Sequence, residues 1–359
     1  MTELPTERRD AVRSRLLTWQ REHGRHDLPW QTPATPYRVW VSEIMLQQTR
    51  VETVIPFFQR FIHRFPDVNS LAAGSLDEVL ALWAGLGYYA RARNLHRAAA
   101  ILASEAQGRI PSDLESLQTL PGVGPSTAGA IRSLGHGLPA PILDGNVKRV
   151  LARLEAVPGW PGRSPVQRQL WSISAQLAPE SDECARFNQG LMDLGATVCT
   201  PTAPLCGGCP WQSLCHAYAE GTPEAYPGRR PRQHQPLRQV QVLLLESQGH
   251  VLLEKRPPTG VWGGLWSLPE ADVDQSAQAR ALALGVECSR MADLPPYEHT
   301  FSHFKLRMFP VRLAVQKQVS TGAIGEAGDV CWFNPRDDGE GPGIAAPIRR
   351  IVEAALGGG

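Results

Sequence analysis

The sequence is poor in lysine, in net charge and in long apolar runs. Four residues are lysine and the other 32 of the 36 basic residues are arginine, so chemistry that needs a lysine amine has few candidates. The formal net charge of +1 is too small to indicate nucleic-acid binding through charge alone. The N-terminal stretch MTELPTERRDAVRSRLLTWQ contains no apolar run long enough for a signal peptide or a membrane span. We therefore expect a cytoplasmic protein that has no membrane partner.

Cysteine is also scarce, but four of the seven cysteines crowd into residues 199–215. Cys199, Cys206, Cys209 and Cys215 are spaced C-x6-C-x2-C-x5-C, and prolines and glycines interrupt the intervening chain. Because cytoplasmic thiols stay reduced, this spacing indicates metal ligation rather than disulfides. A structural zinc site usually has two C-x2-C pairs and this segment has one, so the spacing favours a 4Fe-4S cluster. Zinc and unliganded buried cysteines remain as alternatives.

The composition changes at residues 222–237, TPEAYPGRRPRQHQPL, which are rich in Pro, Arg and Gln and lack hydrophobic periodicity. This stretch predicts a linker, in a chain that is too long for one ordinary core. Before it, apolar residues recur at three-to-four spacing, which predicts an all-α domain over residues 1–221. After it, shorter stretches with strand-like patterns predict an α+β domain over residues 238–359.

The stretch LPGVGPSTAGAI, residues 120–131, predicts a helix-hairpin-helix. Gly122 and Gly124 form a tight turn, and a new helix follows with Ser126 and Thr127 in its first turn. Glycines leave backbone amides unshielded, so the turn and the helix N-terminus can direct several N–H groups at one phosphate. The alternative is an ordinary turn between two helices with a glycine cap.

The hairpin, Asp144 about twenty residues later, and the cysteine spacing together resemble the endonuclease-III-like superfamily of DNA glycosylases. Within it, three stretches are similar to the MutY family of adenine DNA glycosylases: SEIMLQQTRVETV (42–54), GLGYYARARNLH (85–96) and ILDGNVKRVLAR (142–153). The resemblance is dense over 6–220 and looser over 238–355. It implies a monomeric base excision repair enzyme with a 4Fe-4S cluster. Its substrate would be double-stranded DNA in which adenine is mispaired with 8-oxoguanine or guanine.

Three residues are candidates for the hydrolysis of a purine N-glycosidic bond, which needs an acid at the base and a negative charge near the sugar cation. Glu43 lies in the apolar context VWVSEIML, where burial should raise its pKa and keep a proton for the departing adenine. Asp144 can stay ionised and stabilise the cation, and Asn146 can orient a water or Asp144. The resemblance assigns the same roles and has Glu43 activate the water as well. The simpler interpretations are a satisfied helix carboxylate for Glu43 and an N-cap for Asp144.

The resemblance implies further roles in binding the DNA and the base. Gln48 and Tyr88 would act as wedges that fill the stack when adenine is extruded, although a surface glutamine and a core tyrosine are the simpler readings. Trp30 and Gln189 would line the adenine pocket. Superfamily members that cut the backbone carry a lysine where this chain has Ser126, so we expect a monofunctional glycosylase that leaves an abasic site.

The C-terminal stretch VWGGLWSLPE followed by a predicted helix resembles the Nudix fold, but that helix lacks the glutamates with which Nudix hydrolases bind magnesium. The resemblance instead implies a domain that recognises 8-oxoguanine on the opposite strand, through Phe301, Ser302 and His303. A plain β-hairpin with an exposed serine is the alternative. For the whole chain, the alternatives are a mismatch-binding protein without catalysis and a bifunctional glycosylase/lyase for damaged pyrimidines.

Overall fold

The computed structural model describes residues 3–231, 235–301, 303–318, 329–336 and 342–356. These residues form two compact units. The first, which we call the helical unit, comprises Met1–Ala73 and Asn94–Arg232, and the second, the sheet unit, comprises Gly74–Arg93 and Gln233–Gly359. The predicted fold class, an all-α domain followed by an α+β domain, is confirmed. The division differs from the predicted boundaries mainly in residues 74–93, which group with the C-terminal half of the chain.

The helices before the linker are α1 (Thr6–His23), α2 (Pro36–Leu46), α3 (Val51–Arg64), α4 (Val68–Ala73), α5 (Leu76–Trp83), α6 (Ala90–Ala106), α7 (Leu114–Thr119), α8 (Pro125–Ala130), α9 (Gly145–Leu154), α10 (Ser164–Leu177), α11 (Glu183–Thr197) and α12 (His216–Ala219). None of the described helices is both long and apolar enough to cross a membrane. Helix α5 and the first turn of α6 belong to the sheet unit, and the rest belong to the helical unit.

Short polar side chains start the helices that matter for the site. The Thr35 hydroxyl accepts from the Arg38 N–H at the start of α2, where Pro36 supplies a fixed φ. The Asp113 carboxylate accepts from the Ser116 N–H at the start of α7, and the Asp144 carboxylate caps α9. These caps are local in sequence, so the starts of α2, α7 and α9 follow from the residues that precede them.

The helical core forms where α1, α9, α10 and α11 meet. Its members are buried aliphatic and aromatic side chains, and Trp211 from the cysteine-rich segment joins them. Trp211 is 2% exposed and donates its indole N–H to the Val12 carbonyl at 2.9 Å. Cys199 and Cys209 also pack against this core, which anchors the cysteine-rich segment to the helices.

Glycines allow α8 to approach its neighbours closely. A Cβ at Gly129 would lie 2.1 Å from the carbonyl oxygen of Pro141, so only glycine fits against the extended chain before Asp144. A π-helical turn, Ile131–Gly135, follows α8 without a break. A Cβ at Gly135 would lie 2.7 Å from the Cα of Pro36, so this turn packs on the start of α2.

The sheet unit contains a mixed eight-stranded sheet. Its elements are β1 (Leu237–Ser247), β2 (His250–Lys255), β3 (Trp266–Ser267), β4 (Glu270–Ala271), α13 (Ala277–Ala283), β5 (Val286–Asp293), β6 (Tyr297–Thr300), β7 (Lys305–Gln318), β8 (Val330–Phe333) and α14 (Ala346–Leu356). The central pair β1 and β7 is parallel. Strands β2 and β4 pair antiparallel with β1, β3 and β8 with β2, and β5 and β6 with β7.

The sheet unit has its own core. Buried side chains of β1, β2 and β7, among them Leu243, Leu252 and Leu313, pack with α13. Helix α13 occupies the position predicted after VWGGLWSLPE, and its sequence AQARALA contains no carboxylate. The helix packs in this core through Ala277 and Ala281.

The close approach at Gly129 predicts a sharp difference between two glycine substitutions. We expect Gly129→Ala to lower the free energy of unfolding by about 2 kcal/mol or more, because the new methyl group overlaps the Pro141 carbonyl. Gly145→Ala is the matched control, since a Cβ there meets nothing within 4 Å. It should leave stability unchanged or raise it by up to about 1 kcal/mol. Differential scanning calorimetry measures both, and equal melting temperatures would contradict the packing described here.

Candidate functional site

A cavity of about 320 Å³ opens in the helical unit. Its wall carries Trp30 and Gln189, the two residues predicted to line a base pocket, and also Glu43. Trp30 is 6% exposed and meets the Phe58 ring edge-on at 5.4 Å, so its indole is held in place. Ligand pockets of small molecules begin at about this volume, and a mostly apolar wall with a few polar groups is typical of them.

Glu43 lies on α2 between the buried residues Ser42 and Ile44. Burial, and then the negative charge of Asp144, raise the pKa of the Glu43 carboxyl to about 8. The carboxyl is therefore protonated at neutral pH. A protonated acid that lines a cavity can donate its proton to a bound molecule.

Burial also raises the pKa of the Asp144 carboxyl above its ordinary value, but its surroundings differ from those of Glu43. The Val147 N–H, the charges of Arg149 and Lys148 and the Asn146 N–H all act to lower this pKa. Its carboxylate accepts the Val147 N–H at 2.7 Å as the N-cap of α9. The structure thus places two carboxyls next to each other. Glu43 holds its proton at neutral pH, and Asp144 is surrounded by groups that favour its ionised form.

Asn146 is held by Arg149, three residues further along α9. The Arg149 guanidinium donates to Asn146 Oδ1 at 2.8 Å, to the Gly195 carbonyl at 2.7 Å and to the Cys199 carbonyl at 2.8 Å. A Cβ at Gly195 would lie 2.7 Å from the Asn146 Cβ, so α11 packs directly against this residue. Asn146 is fixed by these contacts, with its amide nitrogen left to donate.

A polar network that the sequence did not reveal lies along the cavity wall. Asp193 is fully buried and accepts from the Arg25 N–H at 3.0 Å and from Arg25 Nε at 2.7 Å. The same carboxylate accepts from Gln189 Nε2 at 2.9 Å. Gln31 accepts from the Leu28 N–H and donates to the Arg25 carbonyl, which closes the loop before α2. Arg25 and Asp193 are 168 residues apart, and no local motif marks them as partners.

The hairpin residues fall where the sequence predicted a turn between two helices. Gly122 has φ +82°, and a Cβ there would lie 2.9 Å from the Asn94 Cβ. Gly124 is exposed and begins α8. The Ser126 hydroxyl accepts from the Leu143 N–H at 3.0 Å, one residue before Asp144. Thr127 is 7% exposed and accepts from Gln47 Nε2 at 3.4 Å, so it faces α2 rather than solvent.

The four clustered cysteines line one small cavity of about 30 Å³, with Arg153 in its wall. Arg153 is 2% exposed and donates to Cys199 Sγ at 3.3 Å and to the Thr200 and Pro201 carbonyls. Burial, partly offset by the Trp211 N–H, raises the pKa of the Cys209 thiol to about 12, and the other three cysteines also contribute. Within the described ranges, no three His, Cys, Asp or Glu side chains are arranged to hold a single metal ion.

Comparison with known proteins identifies the family. Residues 41–176 match the HhH-GPD superfamily of base excision DNA repair proteins, and residues 240–354 match the NUDIX domain. An adenine DNA glycosylase of Buchnera aphidicola subsp. Acyrthosiphon pisum (strain APS) is 35% identical over 94% of this chain and 95% of its own. That of Mus musculus is 37% identical over 90% of this chain and 74% of its own. The chain belongs to the adenine DNA glycosylase family.

The fold comparison agrees with the sequence comparison for the N-terminal half. The solved structure of a thermostable thymine-DNA glycosylase is 28% identical, has a TM-score of 0.53 and covers 60% of this chain and 98% of its own. The predicted DNA glycosylase activity and role in DNA repair are confirmed by the family match and the curated relatives. The cavity with Glu43 lies in the helical unit, which corresponds to the glycosylase part of the family.

The two residues predicted to act as wedges share an uncommon backbone conformation. Gln48 has φ +62° and Tyr88 has φ +49°, and both are exposed, Tyr88 by 50%. Non-glycine residues seldom adopt positive φ, which costs about 1 to 3 kcal/mol, and such strain concentrates at functional sites. Gln48 follows the end of α2 in the helical unit, whereas Tyr88 lies between α5 and α6 in the sheet unit.

The segment predicted to recognise 8-oxoguanine, Phe301, Ser302 and His303, lies between β6 and β7, and we call it the reading segment. Phe301 and His303 are described, and Ser302 lies outside the described residues. The Phe301 ring stacks on Phe304 at 4.6 Å, and the Phe301 N–H bonds to the Phe304 carbonyl at 2.9 Å, which closes the turn. His303, in the same segment, is exposed. Trp262, which the sequence did not single out, packs against Phe301 at 5.6 Å and has φ +52°.

Proposed function

We propose that this adenine DNA glycosylase hydrolyses the N-glycosidic bond of adenine mispaired with 8-oxoguanine or guanine and leaves an abasic site. The observation that carries the proposal is Glu43, a carboxyl with a pKa of about 8 in the wall of a base-sized cavity and within electrostatic reach of Asp144. Two carboxyls with different protonation states are what glycosidic cleavage requires.

In the proposed reaction, Glu43 protonates the departing adenine and lowers the barrier to breaking the bond to the sugar. The ionised Asp144 then stabilises the sugar cation or bonds to it transiently. Asn146, fixed through its oxygen by Arg149, has its amide nitrogen available to orient a water or Asp144. Glu43, having lost its proton, can accept one from the attacking water, which returns it to its initial state.

Trp30 and Gln189 are proposed to hold the extruded adenine. The amide nitrogen of Gln189 already donates to the buried Asp193, so its oxygen remains as an acceptor for the amino group of adenine. The Trp30 ring offers a flat apolar face in the same cavity. A pocket that accepts from an amino group leaves guanine, which presents a carbonyl at that position, without a matched partner.

Extrusion of adenine is proposed to depend on Gln48 and Tyr88 as wedges and on the hairpin as an anchor to the backbone. The strained backbones of both wedge residues support this role, because they place the side chains before DNA is bound. The N–H groups of the exposed residues Gly122 and Gly124 are suited to one phosphate, whereas the Val123 N–H bonds to the Leu120 carbonyl within the turn. The hydroxyls of Ser126 and Thr127 in the following helix both have partners within the protein, so their proposed role is to fix the turn.

Recognition of the opposite base is assigned to the segment Phe301, Ser302 and His303. Its support is the exposed His303 beside an ordered aromatic cluster. We also propose that the enzyme works as a monomer on chromosomal DNA in the cytoplasm. A non-catalytic mismatch sensor and a lyase are the alternatives that the tests below distinguish.

The cysteine segment is proposed to hold a 4Fe-4S cluster through Cys199, Cys206, Cys209 and Cys215. A cubane binds one thiolate at each iron, which fits the four thiols that line a common cavity. Arg153 supplies a positive charge beside the thiolates. When bound, the cluster would serve as a cross-link that stiffens this segment against α9.

The reaction itself is tested first by single-turnover assays on duplexes with adenine opposite 8-oxoguanine, guanine or thymine. We expect strand cleavage to need added alkali, because Ser126 offers no amine for a Schiff base. Glu43→Gln should slow base release about 100- to 10,000-fold while the protein still binds the duplex. Binding without base release in the wild type would indicate a mismatch sensor, and cleavage without alkali would indicate a lyase.

The pKa shifts predict the pH profile of the single-turnover rate. The rate should fall as pH rises through about 8, because Glu43 loses the proton that adenine needs. It should also fall at low pH, as Asp144 becomes protonated above its ordinary pKa. In Lys148→Met, loss of a charge that lowers the Asp144 pKa should move only the acidic limb to higher pH. A shift of both limbs together would contradict the assignment.

The cofactor proposal predicts equal amounts of iron and acid-labile sulfide in the purified enzyme. Cys209→Ser should remove both and lower the melting temperature, since the thiol lines the cluster cavity. Cys288→Ser is the matched control, because that cysteine is isolated and lies in the sheet unit. Elemental analysis decides the outcome, and zinc in place of iron would overturn the proposal.

A further inference from the structure

Two segments that are proposed to touch DNA belong to the same compact unit. The Tyr88 loop lies within Gly74–Arg93, and the segment 301–304 lies within Gln233–Gly359. They are more than 200 positions apart in sequence. Contacts within the sheet unit join the two segments.

The Tyr88 loop is rigid in itself. Arg91, which is 8% exposed, donates to the Leu86 carbonyl at 3.2 Å and the Gly87 carbonyl at 3.1 Å, and its guanidinium lies 5.5 Å from the Tyr88 ring centre. The Trp83 indole N–H donates to the Gly87 carbonyl at 3.2 Å. These bonds hold Tyr88 at positive φ with its ring half exposed.

Helix α6 continues from this loop and brings Arg93 to a second turn. Arg93 donates from Nη1 to the Gly263 carbonyl at 2.5 Å. That turn has little freedom, since a Cβ at Gly263 would lie 2.7 Å from the Pro258 carbonyl oxygen. On the other side of α5, Lys255 pairs with Asp77 at 2.8 Å, and Gly264 and Gly343 pack on Leu80. The exposed ion pair adds little on its own.

Trp262, the residue before Gly263, contacts Phe301 of the reading segment. Its side chain is 8% exposed, and its ring lies 5.9 Å from His299 and 5.6 Å from Phe301. Phe301 in turn stacks on Phe304 and meets His299 at 4.6 Å. A continuous set of contacts therefore runs from the Tyr88 loop through Arg93, Gly263 and Trp262 to residues 301–304.

We propose that Arg93 is a positioning residue that couples the Tyr88 wedge to the 8-oxoguanine-reading segment through the Trp262–Gly263 turn. The inference rests on the proposed function of both segments. Because contacts through Arg93, Gly263 and Trp262 join the two segments, binding of the lesion by Phe301 and His303 also sets where Tyr88 enters the stack. Tyr88 and the 8-oxoguanine-reading segment then act together, and DNA binding carries no separate entropy cost for ordering each of them.

The test uses the full-length enzyme and duplexes that hold 2′-fluoro-2′-deoxyadenosine, which resists hydrolysis, opposite 8-oxoguanine or guanine. A 2-aminopurine beside the opposite base reports unstacking by the wedge. The variants are Arg93→Ala, Arg93→Lys, Trp262→Leu and the double variant Arg93→Ala/Trp262→Leu. Arg109→Ala is the matched control, because this exposed arginine lies just after α6 and its side chain bonds to the nearby Ala106 carbonyl.

We expect Arg93→Ala to lower the binding preference for 8-oxoguanine about tenfold, as expected for loss of one hydrogen bond from a charged donor. The 2-aminopurine signal should fall in the same variant, and Arg93→Lys should restore part of both. Trp262→Leu should cause a similar loss, and the double variant should lose no more than either single variant. Arg109→Ala should resemble the wild type.

Three results would overturn the coupling. An unchanged binding preference for 8-oxoguanine in Arg93→Ala would show that the contact between Arg93 and Gly263 does not couple the two segments. Equal weakening on both duplexes, with a shallower dependence on salt, would make Arg93 a phosphate contact instead. A fall in melting temperature with no rescue by Arg93→Lys would make it merely structural. If the wild type itself shows no preference for 8-oxoguanine, the proposed specificity fails rather than the coupling alone.

Discussion

Two carboxyls that bury their charges beside each other set the main constraint on the helical unit. Burial and the neighbouring charge both push Glu43 towards its protonated form, whereas Asp144 has the α9 N–H groups, Arg149 and Lys148 to favour ionisation. Such a pair is unfavourable to fold unless its two members receive different surroundings. The end of α2 supplies an apolar environment and the start of α9 a polar one, so the two helices must meet at these residues.

Helix α9 connects this pair to the cysteine segment. On successive turns, Arg149 bonds Asn146 and the Cys199 carbonyl, and Arg153 bonds Cys199 Sγ and the Thr200 carbonyl. The cysteine segment contains little regular structure of its own, and Trp211 alone anchors it deeply in the core. A bound cluster would therefore affect the chemistry indirectly, by fixing the helix whose first residues carry Asp144 and Asn146.

Sequence predicted those parts of the site whose causes are local. The N-cap at Asp144, the hairpin turn and the burial of Glu43 all follow from neighbouring residues, and the structure contains each of them. The Arg25 to Asp193 pair and the placement of Trp262 against Phe301 depend on chain segments that meet only on folding. The grouping of residues 74–93 with the sheet unit likewise depends on contacts that form only on folding. Their helical period says nothing about which core they join.

The cavity cannot by itself distinguish a mispair from a normal pair. Adenine is chemically the same base whichever base lies opposite it, so in the proposed reaction Trp30, Glu43 and Gln189, which line the cavity, would meet the same groups in every case. Discrimination must therefore come from residues that contact the other strand before or during extrusion. Phe301 and His303, proposed to read that strand, share the sheet unit with Tyr88, and the carboxyls lie in the helical unit. This division lets the reading of the lesion change without altering the acid that cleaves the bond.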